Sequence, residues 1–110
     1  MHFSHIFKEG KIGELLLKNR VVMPGMGVKL ASPDGEVTEQ LIRYYEERAK
    51  GGTGLIITEF TSIDYELGKA IVNQLRIDDD ALIPGFQRLA NAIHKHDAKL
   101  FVQLHHAGRE

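Results

Sequence analysis

The sequence predicts an α/β fold, specifically the first third of a (β/α)8 barrel: an N-terminal β-hairpin followed by β-α-β-α-β with parallel strands. Two observations carry this. Short, uninterrupted apolar runs around "VVM", "LIIT" and "LFVQ" alternate with two amphipathic stretches of helical period. Strands of that kind, separated by such helices, join through right-handed crossovers into a parallel sheet. The segment after the first run, "MPGMGVKLAS", lacks the G-x-G-x-x-G that opens a dinucleotide fold, which favours a closed barrel over an open doubly wound sheet.

Each element has its own signal. "KIGELLL" places a Gly13-Glu14 turn between Lys11-Ile12 and residues 15–17, a small hairpin suited to plugging the bottom of a barrel. Val21, Val22 and Met23 form an apolar run stopped by Pro24-Gly25, as expected of a strand buried on both faces. "ASPDGE" is a turn with Pro33 at its second position and Gly35 at its end. Thr38 caps a helix whose Leu41, Ile42, Tyr45 and Ala49 share one face. Arg43 and Glu47, and Glu46 and Lys50, are spaced to pair along it. Gly51-Gly52 ends it through a left-handed position. A second strand covers residues 55–58, and a long irregular stretch follows. The next helix starts near Pro84, with Ile83, Phe86, Leu89, Ala90 and Ile93 as its apolar stripe, and His94 and His96, on the polar side near its end, are expected to be solvated. Residues 100–103 are the third strand.

Composition narrows the class. Fourteen basic against 15 acidic residues give a formal charge of −1, so no nucleic-acid or anionic-membrane partner is expected. Cysteine is absent, which removes disulfide, thiolate and iron–sulfur chemistry from this stretch. No apolar run approaches the ~20 residues of a membrane span. A cytoplasmic location is the expectation. A (β/α)8 barrel takes about 250 residues. The 110 residues therefore read as the N-terminal part of an apparently truncated barrel domain. The open parallel edge of such a piece invites association, as a homo-oligomer or through its sheet edges.

Function in such a barrel sits at the C-terminal ends of the strands. Three segments qualify: "MPGMG", "TEFTS" and "QLHHAGR". In the first, Pro24, Gly25, Met26 and Gly27 supply backbone that can approach a flat ligand closely. A tight strand-to-loop turn accounts for the same residues. Glu59 could serve as base or acceptor, or pair with an arginine such as Arg109. Gln103 is the sharper signal, because an amide offers donor and acceptor together and suits a heterocycle edge carrying N–H and C=O side by side. His105 and His106 raise an alternative, a metal-dependent barrel enzyme. Adjacent side chains diverge, however, and no carboxylate or thiol stands beside them. A further alternative is a non-catalytic barrel fragment stable only through self-association.

"IGELLLKNRVVMPGMG", "YYEERAKGGTGLIITE", "IDDDALIPGFQRLANAIHKHDAKLFVQL" and "QLHHAGR" together resemble the N-terminal part of the old yellow enzyme family, the FMN-dependent NADH:flavin oxidoreductases and 2,4-dienoyl-CoA reductases. The resemblance implies non-covalent FMN at the strand ends, with Pro24, Gly25, Met26 and Gly27 along the flavin and Gln103 on its pyrimidine edge. It implies NAD(P)H as reductant and an activated small-molecule alkene as acceptor, with His106, Gly108 and Arg109 in support. No catalytic residue is assigned within the chain, since the family's substrate-binding His pair is expected downstream, and the fragment alone is expected to be inactive. Four positions depart from the family pattern. Gly25 separates Pro24 from Met26 where relatives often read Pro-Met, and Lys29 stands where some relatives place a substrate-side Tyr. Gly27 stands where many relatives carry Thr or Cys, and Phe60 where they favour Ala or Gly.

Overall fold

The computed structural model describes residues 3–109. Strands β1 (Gly10–Ile12) and β2 (Leu15–Leu17) form an antiparallel hairpin, with Ile12 opposite Leu15. Strand β3 (Val22–Met23), helix α1 (Glu39–Lys50), strand β4 (Leu55–Ser62), the single-turn helix α2 (Tyr65–Gly68), helix α3 (Ile83–His94) and strand β5 (Lys99–His105) follow. The sheet order is β3-β4-β5, with both pairings parallel. This is the predicted hairpin and β-α-β-α-β order.

The core lies between the sheet and its two long helices. Leu41, Tyr45 and Ala49 of α1 and Leu89 and Ile93 of α3 are buried against Ile56 of β4. These are the positions that the helical spacing selects. Ile83 departs from its stripe: as the first residue of α3 it stays 58% exposed. Both ends of α1 match their signals. Thr38 Oγ1 accepts the Leu41 N–H at 3.0 Å, and Gly52 takes a left-handed φ of 117°. The Arg43–Glu47 and Glu46–Lys50 spacing is not what α1 uses. Glu46 instead meets Lys95 at 3.4 Å and His96 at 2.9 Å, so His96 is held at the end of α3 rather than left to solvent.

The segment joining the hairpin to β3 ties down the N-terminal end of the sheet. Lys18 Nζ donates to the His96 carbonyl at 2.7 Å, and Asn19 Nδ2 donates to the Gly52 carbonyl at 2.7 Å. Those carbonyls belong to the loops entering β5 and β4. Because the strands are parallel, their C-terminal ends share the opposite edge. The segment after β3, the end of β4 and the end of β5 are therefore neighbours.

Strands β4 and β5 run further than their apolar cores suggest. β4 continues to Ser62 and β5 to His105, and one extra residue in β4 interrupts the register between Ile57↔Phe101 and Phe60↔Gln103. Such a bulge bends the strand and re-aims its side chains. Hydroxyls stabilise it: Thr58 Oγ1 and Thr61 Oγ1 both donate to the Glu59 carbonyl, at 3.0 and 2.9 Å.

Candidate active site at the strand ends

Beyond the bulge, Phe60 faces Gln103 directly and Ser62 faces His105. Cross-strand partners on one face lie close enough for their side chains to touch. The loop after β3 folds over this pair. A Cβ placed on Gly25 would stand 2.5 Å from Gln103 Oε1 and 2.7 Å from the Thr58 carbonyl oxygen. One placed on Gly27 would stand 2.8 Å from Phe60 Cζ. Only glycine lets the loop backbone come this near to the sheet. Pro24, Met26 and Gly27 are exposed, while Gly25 is partly covered by the amide it touches.

Gln103 is held by its backbone, whose N–H donates to Thr58 Oγ1 at 3.2 Å, while the residue as a whole remains exposed. Its amide therefore keeps hydrogen-bonding capacity for a ligand. The Phe60 ring leans on the His105 imidazole, with centroids 5.1 Å apart and planes tilted by 48°. His106 turns elsewhere: a Cβ on Gly68 would meet its ring at 2.6 Å, and its Nδ1 accepts the Gly108 N–H at 2.9 Å. The two histidines thus serve different surroundings, as expected of adjacent side chains. Arg109 is exposed.

Glu59 is fully buried. Its Oε2 accepts the Val28 N–H at 3.4 Å, so the carboxyl reaches the loop after β3 rather than Arg109. Burial holds this carboxyl above the usual carboxylate range, partly offset by the N–H groups of Val28, Leu75 and Lys29. Tyr45 Oη accepts the Glu59 N–H at 2.7 Å, and burial likewise pushes the Tyr45 phenol upward.

The structure thus joins Gly25 to Gln103 and Gly27 to Phe60 at one mouth, with Pro24 and Met26 on the intervening loop. Sequence reading missed Thr58, which links the bulge to the Gln103 backbone. A hydroxyl inside an otherwise apolar run was its only signal. It also missed the Phe60–His105 contact, because that depends on a bulge with no local signature in "TEFTS".

The NADH:flavin oxidoreductase / NADH oxidase family model matches residues 5–110. The NADH oxidase of Thermoanaerobacter brockii is 52% identical over 109 residues, covering 99% of this chain and 17% of that protein. Among solved structures, a 2-naphthoyl-CoA reductase in complex with 2-naphthoyl-CoA superposes with a TM-score of 0.91 at 33% identity, covering 96% of this chain and 16% of that one. Old yellow enzyme from Pichia sp. AKU4542 gives a TM-score of 0.85 at 29% identity, covering 94% of this chain and 28% of that chain. The hairpin and three parallel strands are thus the opening part of a (β/α)8 barrel. With its family model matched almost from end to end, the chain belongs to the NADH:flavin oxidoreductase / NADH oxidase family, of which it represents an N-terminal portion.

Proposed function

We propose that these residues are the N-terminal part of an FMN-binding barrel domain in a cytoplasmic, NAD(P)H-dependent ene-reductase acting on activated C=C bonds. The single observation that carries the reading is the close approach of Gly25 to the exposed Gln103 amide at the strand ends. That arrangement suits an isoalloxazine: the two glycines let the loop pack against Gln103 and Phe60 at the strand ends, and the Gln103 amide matches the alternating N–H and C=O groups of the pyrimidine edge. Pro24, Gly25, Met26 and Gly27 would lie along the ring, and Gln103 would hold the edge. The chemistry FMN supplies when bound is hydride relay from NAD(P)H to the β-carbon of an activated alkene. The chain's own contribution is to seat and orient. The related proteins' names, an NADH oxidase, an NADPH dehydrogenase and a 2-naphthoyl-CoA reductase, support a nicotinamide reductant and a conjugated acceptor.

The test uses lumiflavin, which carries the ring without the phosphate. Added to the 110-residue chain, it should shift the amide resonances of Gly25 and Gly27 and the side-chain amide of Gln103, and Gln103→Leu should abolish the last shift and weaken binding. A chain that leaves lumiflavin unbound, or a Gln103→Leu variant that binds it equally well, overturns the assignment. The chain alone should not oxidise NADH with added FMN.

Self-association is a second element of the proposal. β3 and β5 are the outer strands of the three-stranded sheet, and Val22 and Leu104 on them are 42% and 65% exposed. Unpaired edges with apolar side chains favour strand pairing. Light scattering on the chain should report dimers or larger species, and a strictly monomeric chain would remove this element.

A further inference from the structure

Glu59 is anchored more thoroughly than a strand residue needs. Its N–H goes to Tyr45 Oη, and its carbonyl takes both threonine hydroxyls. The bulge is thereby fixed to α1 on one side and to its own strand on the other. What this fixing aims is the carboxyl. Oε2 accepts the N–H of Val28, the residue immediately after Gly27, at 3.4 Å. Oε1 is buried and makes no well-formed hydrogen bond among the described residues, although the Leu75 and Lys29 N–H groups lie near enough to the carboxyl to favour its charged form. Next along the loop, Lys29 takes a left-handed φ of 57°. A non-glycine residue adopts that conformation only where its surroundings hold it.

A buried carboxyl with one oxygen short of a well-formed hydrogen bond is costly to keep, which calls for a compensating role. The loop supplies one. Its residues 24–27 include two glycines, so little side-chain packing of their own fixes their backbone.

We propose that Glu59 is a positioning residue: acting through the Val28 N–H, it holds the loop of residues 24–27 against Gln103 and Phe60. The inference rests on the flavin reading above only for what the loop holds, and not for how the loop is held.

The test compares Glu59→Gln and Glu59→Ala with the unchanged 110-residue chain by amide hydrogen exchange and lumiflavin titration. Glu59→Ala should speed exchange at Val28 by about tenfold or more, the scale of one hydrogen bond lost. Lumiflavin affinity should fall with it. Glu59→Gln should restore Val28 protection, because its amide oxygen accepts the same N–H. Because glutamine fills the same space as glutamate, the discriminating readout is that the change in Glu59→Ala is confined to Val28 and its loop, with core amides unaffected, which a role in packing alone would not give. Unchanged Val28 exchange in Glu59→Ala, or a folded Glu59→Gln chain with Val28 as unprotected as in the alanine variant, overturns the proposal. If Glu59→Ala does not fold, Val28 protection in Glu59→Gln decides alone. If none of the three chains binds lumiflavin, the flavin reading fails, while the exchange result still decides the role of Glu59.

Discussion

The Gln103 side-chain oxygen lies 2.5 Å from the point where a Gly25 Cβ would stand, and the Thr58 carbonyl lies 2.7 Å from the same point. The two obstacles differ in kind. Gln103 ends in a flexible amide that can swing aside, whereas the Thr58 carbonyl belongs to a bulged backbone held by hydroxyls. Gly25→Ala should therefore destabilise the chain by about 1–3 kcal/mol, the usual scale of overpacking. Adding Gln103→Ala should recover only part of that, since the carbonyl remains. Urea unfolding of the two variants measures both quantities. A Gly25→Ala chain as stable as the parent would mean that the loop does not pack so near the sheet.

Gly27 and Phe60 stand in a similar relation, but here the obstacle is a whole ring. A Cβ on Gly27 would meet Phe60 at 2.8 and 2.9 Å, with Ile71 Cδ1 3.5 Å away. The ring occupies the space that a side chain at position 27 would need. Gly27→Ala should be destabilising while Phe60 is present and nearly neutral in a Phe60→Ala background. A double-mutant cycle should return a coupling of about 0.5–3 kcal/mol between the positions. Strict additivity would show that the ring and the loop are independent.

What was legible in the sequence, and what was not, divides along these same contacts. Period and capping identified α1, because Leu41, Tyr45 and Ala49 depend on neighbours three or four places away and Thr38 on the N–H three residues ahead. The strands were legible only where apolar. Beyond Ile57 the run turns polar, and the continuation of β4 is stabilised by pairing with β5, more than 40 residues later. No local pattern encodes that pairing. Pro24, Gly25, Met26, Gly27 and Gln103 were singled out from residue type and position at strand ends. Their juxtaposition needed the bulge. His96 was read as solvated because its partner, Glu46, lies a full crossover away on α1.

Thr38 joins two jobs that two substitutions can separate. Its Oγ1 accepts the Leu41 N–H at 3.0 Å, and the same hydroxyl donates to the Leu30 carbonyl at 2.6 Å. The first bond caps α1, and the second ties the helix start to the loop descending from the strand ends. Thr38→Ala should cost about 1–2 kcal/mol, the upper part of the range for a lost threonine cap. Thr38→Ser keeps the hydroxyl and should recover most of it. Equal losses in both would point to the methyl group instead, and thermal unfolding separates the two cases.

Glu59 gives the chain a pH dependence whose sign is fixed by burial. In the unfolded chain its carboxyl should ionise near the ordinary value of 4.5, while in the folded chain burial raises it above that. Between those two values the folded state holds the proton that the unfolded state has released. The stabilising contribution is therefore complete below the unfolded value and is lost as pH rises through the folded one, with a slope of up to ~1.4 kcal/mol per pH unit. Glu46 and Asp78 work in the opposite sense. A hydrogen bond from His96 lowers the first and one from Arg76 lowers the second, so their contributions are present above the unfolded values and fade in acid. The total curve mixes these signs, and the difference between parent and Glu59→Gln isolates one of them. Relative to the glutamine variant, the parent should lose stability as pH is raised from 4.5 toward the folded value and then level off. Parallel curves for the two chains would mean that the Glu59 carboxyl titrates alike in the folded and unfolded states.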